Sequence, residues 1–117
     1  MSKPNVMIIM TDQQRYDTIN ALGHKHMITP NIDRLVREGT SFVNAHSTNP
    51  VCQPARHDML TGLPGKAHGY FGNSNNPIQD YSIPTLPRIF LNNGYRSVSI
   101  GKNHHHPARE HHGYGEM

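Results

Sequence analysis

The sequence contains no tryptophan and only one cysteine, Cys52, among its 117 residues. One cysteine excludes an internal disulfide framework and favours a reducing compartment. No hydrophobic run approaches the length of a transmembrane helix, and the apolar run at residues 6–10 is too short for the core of a secretory signal. We therefore expect a cytoplasmic protein with no membrane partner.

The sequence also lacks a concentration of charge of one sign. Its net charge is +3, and the lysines and arginines are scattered rather than aligned in a stripe, which argues against a nucleic-acid partner. Hydrophobic residues make up 34% of the chain, and nine prolines and ten glycines indicate many loops. Without an internal repeat or a composition boundary, we predict a single domain over residues 1–117.

Three segments have the patterns of β-strands. Residues 5–10 form a continuous apolar run, which is typical of a strand buried on both faces of a parallel sheet. Residues 40–46 alternate around Phe42 and Val43, and residues 95–100 predict a further strand. Because helical segments separate these strands, the sequence predicts an α/β fold with a largely parallel sheet flanked by helices.

Three further segments have proline at or next to their first residue and end at glycine, which is typical of helices: 29–39, 54–62 and 84–94. The first has Thr29 as a candidate N-cap and an apolar face that we expect to pack, formed by Ile32, Leu35 and Val36. Residues 66–80 show no periodicity and predict a loop, in which we expect His68 to lie on the surface.

We predict that Cys52 lies at or just before a helix N-terminus, a position that can form a reactive site. Pro54 fixes this position, because a helix tolerates proline only in its first turn. Free N–H groups at such an end favour an anion, and Arg56 can bind two oxygens of a tetrahedral oxyanion as a planar fork. A reactive thiol and an inert, packed cysteine are the alternatives.

Polar residues also follow two of the predicted strands. Open α/β sheets place their sites beyond the carboxyl ends of strands, where Asp12 and Gln13 follow residues 5–10. Lys102 and His104 follow residues 95–100 in the same way. The alternatives are that Asp12 caps the next helix and that the second pair is an ordinary basic strand exit.

Several motifs, in this order, resemble those of the type I sulfatases. The strongest is Cys52-x-Pro54-x-Arg56, which closes in Leu60-Thr61-Gly62. The other motifs are Thr11-Asp12 after an apolar strand, Thr29-Pro30-Asn31-x-Asp33-x-Leu35, and Gly101-Lys102-x-His104. Because sulfatases are much longer, the resemblance implies the N-terminal portion of an alkaline-phosphatase-like sulfatase fold.

The resemblance implies hydrolysis of a small-molecule or saccharide sulfate ester to an alcohol and inorganic sulfate. In this family the formylglycine-generating machinery converts the cysteine to formylglycine, whose hydrate is the nucleophile. The implied catalytic residues are Cys52, Arg56, Lys102 and His104. The implied ligands of a divalent cation are Asp12, Gln13 and Cys52. Calcium is the expected metal, with Mg²⁺ and Mn²⁺ as alternatives; Gln13 replaces the second aspartate of many members, so one negative charge is lost.

Two other functions fit the sequence. A phosphonate or phosphate ester hydrolase of the same superfamily would use the same cysteine-derived aldehyde. A non-catalytic metal-binding module would use the histidine-rich residues 104–112. We assign His104 to the predicted site and the other histidines of this segment to a loop. The sequence indicates neither the substrate alcohol nor the oligomeric state.

Overall fold

The computed structural model describes residues 3–73, 80–107 and 110–117 of the chain. These residues divide into two units, Met1–Ala45 and His46–Met117, which are described separately. Within the described residues the helices are α1 (Pro30–Glu38), α2 (Cys52–Thr61), α3 (Gly65–His68) and α4 (Leu86–Asn92), and short 3₁₀ turns cover Tyr16–Thr18 and Asn20–Leu22. None of these helices has the length and apolar character needed to cross a bilayer.

Helix α1 of the first unit confirms the prediction for residues 29–39. Thr29 precedes the helix, Pro30 is its first residue and Gly39 follows its end. The Thr29 hydroxyl donates to Oδ1 of Asp33 at 2.8 Å, and the Ala21 N–H donates to the same oxygen at 2.9 Å. Asp33 is buried. These hydrogen bonds tie α1 to the 3₁₀ turn before it.

The apolar face predicted for α1 is not the face that packs. Leu35 is 60% exposed, and Ile32 and Val36 are only half-buried. The helix rests on the polar contacts of Asp33 instead, because the short turn beside it offers few apolar side chains. The expected packing of Leu35 is therefore wrong for this unit.

Two of the three predicted strands make no strand pairing in the part of the chain that the structure describes. Residues 5–10 form no strand and are exposed, with Met7 at 82% and Ile9 at 78%. Residues 40–46 also form no strand, and Phe42 is 79% exposed. Strand structure requires a neighbouring strand to satisfy its N–H and C=O groups, and these segments have none there. The parallel sheet therefore stays a prediction.

The third predicted strand makes one pairing. Within residues 95–100, Val98 forms a parallel bridge with Glu116. The Ser99 N–H donates to the Glu116 carbonyl at 3.0 Å, and the Gly115 N–H donates to the Ser97 carbonyl at 2.9 Å. The C-terminal residues therefore lie alongside this segment.

The second unit contains α2, α3 and α4. Helix α2 ends at Gly62, whose φ of 69° is in the left-handed region, as the sequence predicts for a glycine stop. Helix α3 corrects the predicted loop of residues 66–80, because its single turn covers the first three residues of that range. Helix α4 has Pro87 near its start and confirms the third predicted helix.

The core of the second unit is small and largely polar. Among the described residues, the buried hydrophobic side chains are Leu60 and Tyr70. Helix α2 turns a mostly polar face toward this core, with Gln53, Arg56, His57 and Leu60 buried at helical spacing. The packing of this unit therefore depends on satisfied polar groups as much as on apolar area.

We expect Gly113→Ala to destabilise the second unit strongly. A Cβ at Gly113 would lie 2.6 Å from Oγ1 of Thr85 and 2.8 Å from Cβ of Arg88, and the glycine φ is 96°. Overpacking and an unfavourable φ together should lower the free energy of unfolding by about 2–3 kcal/mol. Urea unfolding measures this change. Gly72→Ala, with no atom within 4 Å of the added Cβ, is the matched control, and equal losses in both variants would contradict the packing.

Candidate active site

Cys52 is the first residue of α2 and carries a free, half-buried thiol. Val51 precedes it in an extended conformation, with φ −119° and ψ 144°. The predicted position of the cysteine at a helix N-terminus is therefore confirmed. A half-buried side chain at this position is both held by the helix and accessible to a reactant.

Asn73 binds the helix directly beside Cys52. Its Oδ1 accepts a hydrogen bond of 3.0 Å from the backbone N–H of Gln53, although the two residues are 20 positions apart. Sequence reasoning gave no role to this asparagine. The α2 N-terminus therefore offers an anion fewer N–H groups than we expected, because Asn73 occupies that of Gln53 and Pro54 has none.

Arg56 joins α2 to the segment that contains two other predicted residues. The Arg56 side chain is buried, and its Nη1 donates to the Lys102 carbonyl at 2.6 Å and to the Asn103 carbonyl at 3.5 Å. An arginine that binds backbone carbonyls fixes the position of the chain that carries them. The structure thus brings together Arg56 and the backbone before His104, while the binding of an oxyanion by Arg56 stays a prediction.

We call residues 102–104 the tethered segment, because Arg56 binds the carbonyls of Lys102 and Asn103. The side chains of Lys102 and His104 are exposed on this segment. His104 has a φ of 53°, in the left-handed region, where non-glycine residues are uncommon. Such a conformation persists only where the surroundings hold it, and it is more frequent at functional sites. These two residues are therefore exposed groups on a fixed backbone.

Asp12 and Gln13 lie in the first unit, shortly after the apolar run that ends at Met10, and both are exposed. Gln13 has a φ of 55°. One carboxylate and one amide oxygen are hard donors and suit Ca²⁺ or Mg²⁺ chemically, but such cations take six or more oxygens. Across residues 3–73, 80–107 and 110–117, no three His, Cys, Asp or Glu side chains are arranged to hold a metal ion.

A group of aromatic side chains that the sequence did not reveal is packed behind α2. We call His57, His68, His105 and His112 the histidine cluster. His57 is 1% exposed and stacks on Tyr70 with ring centroids 3.7 Å apart. Its centroid lies 5.0 Å from that of His105 and 5.9 Å from that of His112. The rings therefore form one packed group that joins α2 to His105 and His112.

Two ring nitrogens of the histidine cluster lack hydrogen-bond partners among the described residues, namely Nε2 of His57 and Nδ1 of His105. Burial lowers the pKa of His57 to about 4, with the neighbouring His112 adding to the effect. Burial also lowers the pKa of His105 to about 3, helped by His57 and His112. These rings are therefore neutral at pH 7 and behave as packing groups.

His112 has a more polar environment than the other two. Burial lowers the pKa of His112, against the opposing effect of a 3.3 Å hydrogen bond from its Nε2 to the Pro107 carbonyl. His105 and His112 lie outside helices and strands, as the loop assignment predicts, but their rings pack against His57 in the interior of the unit. A histidine-rich metal-binding module also finds no support in the described residues.

His68 is buried, which corrects its expected surface position. Its Nδ1 accepts from the Tyr70 N–H at 3.2 Å, and its Nε2 donates to Oδ1 of Asp58 at 2.6 Å. The second oxygen of Asp58 accepts from the Thr48 hydroxyl. Asp58 therefore joins α2, α3 and the segment before α2.

The sequence analysis did not assign His57, Asn73 or His112 to the site, and only one of them has a pattern in the sequence that could have identified it. His57 occupies a buried position three residues before Leu60, so helical spacing from the buried face of α2 could have identified it. Asn73 and His112 left no such signal, since neither lies in a periodic segment.

Comparison with known proteins identifies the family of this chain. The Sulfatase family model matches residues 4–117. An arylsulfatase of Clostridium perfringens is 37% identical over 107 residues, covering 92% of this chain and 22% of the relative. Human N-acetylgalactosamine-6-sulfatase is 30% identical over 130 aligned positions, covering 97% of this chain and 24% of the relative.

A solved structure shares the fold. The crystal structure of a protein assigned to the sulfatases, from Bacteroides thetaiotaomicron, superposes with a TM-score of 0.73 at 27% identity, covering 86% of this chain and 22% of that one. The chain thus spans about a fifth to a quarter of the length of the relatives it matches. Since the family model extends over nearly all of the sequence, the chain belongs to the sulfatase family.

Proposed function

We propose that the protein containing this chain hydrolyses sulfate esters, releasing an alcohol and inorganic sulfate. The observation that carries the proposal is Cys52 at the first position of α2, with Arg56 of the same helix tied to the Lys102 carbonyl. This contact links the two sulfatase-like motifs, which lie far apart in the sequence. Substrates of the sulfated-saccharide class are supported by a relative named N-acetylglucosamine-6-O-sulfatase.

Residue 52 is the proposed nucleophile, after conversion of the cysteine to formylglycine. Its half-buried position at the start of a ten-residue helix gives the modified side chain both support and access. When present, the hydrated aldehyde supplies a hydroxyl for attack on sulfur. The positive end of the α2 dipole favours the negative charge that collects beside residue 52 during the reaction.

Lys102 and His104 are proposed to act from the tethered segment. An exposed lysine ammonium can approach a sulfuryl oxygen as a point charge. His104 can hold or release a proton at the ester oxygen, because an imidazole ring can both donate and accept a hydrogen bond there. Arg56 keeps the backbone of this segment against α2 through its bond to the Lys102 carbonyl.

Asp12 and Gln13 are proposed ligands of a divalent cation, with residue 52 as a third. Their oxygen donors favour Ca²⁺ over softer metals, and Mg²⁺ and Mn²⁺ remain alternatives. A bound cation supplies positive charge that stabilises the developing charge on the sulfuryl group. We also propose that residues 5–10 and 95–100 are strands of a largely parallel sheet in the whole protein, since the first is a mostly apolar run and the second already forms one parallel bridge at Val98.

Paired rates on two esters of one alcohol test the proposed function. We expect the whole protein to hydrolyse 4-nitrophenyl sulfate with a kcat/KM at least about tenfold above that for 4-nitrophenyl phosphate, a difference of about 1.4 kcal/mol. Sulfate release, measured by ion chromatography, identifies the product. A preference for the phosphate or a phosphonate ester would instead support the related hydrolase activity.

The metal proposal predicts that Asp12→Ala lowers calcium affinity by about 100-fold or more, since it removes the charged ligand. Gln13→Ala should have a smaller effect, because it removes a neutral ligand. Isothermal titration calorimetry with Ca²⁺ measures both. Asp17→Ala is the matched control, because Asp17 is a half-buried carboxylate five residues further along the chain that pairs with Arg15. Unchanged calcium affinity in Asp12→Ala would remove Asp12 from the site.

A further inference from the structure

The peptide unit that follows Cys52 is held by a side chain from a distant part of the sequence. Its N–H belongs to Gln53 and donates to Oδ1 of Asn73 at 3.0 Å. A peptide unit is planar, so holding its N–H in one direction restricts rotation about the Cα–C bond of residue 52, which is its ψ angle. The direction in which the side chain of residue 52 leaves the helix is thereby constrained.

The N-terminus of α2 cannot cap itself in the usual way. A helix leaves its first four N–H groups without intrahelical partners, and a Ser, Thr, Asp or Asn at the N-cap normally accepts one of them. Here the N-cap is Val51, whose side chain has no acceptor, and its own N–H donates to the Asn49 carbonyl at 2.9 Å. Pro54 has no N–H, so only the N–H groups of Cys52 and Gln53 remain.

Asn73 accepts a hydrogen bond from one of these two N–H groups and not from the other. The Gln53 N–H is bound by Asn73, while the Cys52 N–H has no partner among the described residues. A capping oxygen at position 51 itself would lie next to the reactive side chain. An acceptor from position 73 caps the helix and leaves the residue before Cys52 apolar.

A second hydrogen bond supports the first from the other side of Cys52. Nδ2 of Asn49 donates to the Phe71 carbonyl at 3.1 Å. Asn49 and Asn73 therefore join the same two segments, residues 49–53 and residues 71–73, on either side of the cysteine. Two such bonds restrict sliding between the segments more than one bond can.

From this geometry we infer that Asn73 is a positioning residue for residue 52. It acts through the Gln53 peptide unit and sets the angle at which the nucleophile meets its substrate. This role rests on the proposed function, and it adds a residue that the sulfatase-like motifs do not include. Small displacements of a reacting group cost up to about 100-fold in rate, so a positioning bond of this kind should be visible in kcat.

Kinetics of the whole protein test the role. Asn73→Ala should lower kcat for 4-nitrophenyl sulfate by about tenfold to 100-fold and change KM less than about twofold, because substrate contacts are intact. Asn73→Asp keeps an acceptor oxygen and should recover kcat to within about threefold, while its negative charge raises KM for an anionic ester. Asn31→Ala, at an exposed position on α1, is the matched control and should match the wild type.

A second measurement does not depend on turnover. Amide hydrogen exchange at Gln53 should be about tenfold faster or more in Asn73→Ala than in the wild type, and Asn73→Asp should restore protection. Unchanged exchange at Gln53 would overturn the inference even in an inactive protein. So would faster exchange with an unchanged kcat, or a loss of kcat that Asn73→Asp does not recover. A wild-type protein without sulfatase activity would contradict the proposed function, and exchange at Gln53 would still decide whether Asn73 holds this peptide unit.

Discussion

Replacing Cys52 by alanine should abolish sulfate ester hydrolysis while leaving the fold intact. The proposed nucleophile is made from this side chain, and the loss of a nucleophile typically lowers kcat by about 10³-fold or more. The thiol is small and only half-buried at the start of α2, so its removal should shift the melting temperature by no more than a few degrees. Initial rates on 4-nitrophenyl sulfate, together with thermal unfolding, measure both effects.

Val51→Ala is the matched control for this substitution. It shortens the exposed N-cap side chain one residue before Cys52 and leaves the proposed chemistry unchanged. Its turnover should stay within about threefold of the wild type. If Cys52→Ala kept a tenth or more of wild-type turnover, residue 52 would not be the nucleophile.

The free energy of unfolding of the second unit should fall unusually steeply as the pH is lowered. His57 and His105 are neutral in the folded state because their pKa values are lowered to about 4 and about 3. In the unfolded chain they titrate near their ordinary value of 6.5, so unfolding takes up protons below that pH. Their contribution is fully present above about pH 6.5 and is lost as the pH falls toward 4 and then 3.

The size of this effect follows from proton uptake. Each histidine that is protonated only on unfolding contributes at most ~1.4 kcal/mol per pH unit, so two give at most ~2.7 kcal/mol per pH unit. The charged and titratable groups that face them include one nearby carboxylate, Asp58, which offsets part of this loss for His57. The other facing groups are His68, His112, His106, His104 and Arg56.

Phenylalanine substitutions separate this effect from general acid denaturation. His57→Phe can keep the stack on Tyr70 but cannot take up a proton. The slope of the unfolding free energy against pH between about 6 and 4 should therefore fall by up to ~1.4 kcal/mol per pH unit, which corresponds to one proton. Exposed His111→Phe should leave the slope unchanged. Urea unfolding at a series of pH values measures each slope, and an unchanged slope in His57→Phe would contradict the buried neutral state.

Local rules predicted the helices well because helix ends depend on neighbouring residues. Pro30 and Gly39 bound α1, and Pro54 placed Cys52 at the start of α2. The sheet was not recovered in the same way, since a strand such as residues 5–10 depends on partners elsewhere in the chain. For the same reason Leu35 was assigned to a packed face, yet the described residues leave it exposed.

The candidate site was predictable where it depends on motif and helix position, and not where it depends on tertiary contact. Cys52 and Arg56 lie one turn apart on α2, as the sequence indicated. The hydrogen bond from Arg56 to the Lys102 carbonyl joins residues 46 positions apart, and no local sequence pattern predicts it. His112 likewise enters the histidine cluster only because the chain returns to α2.

Peptide mass spectrometry of residue 52 in catalytically active protein tests the central claim most directly. The whole protein is produced with the formylglycine-generating machinery, and its rate of 4-nitrophenyl sulfate hydrolysis is measured. The peptide containing Cys52, Pro54 and Arg56 is then isolated from the same preparation. We predict that residue 52 is present as the aldehyde or its hydrate, in a fraction that rises in proportion to turnover across preparations. Full activity in protein whose residue 52 is an unmodified thiol would contradict the account.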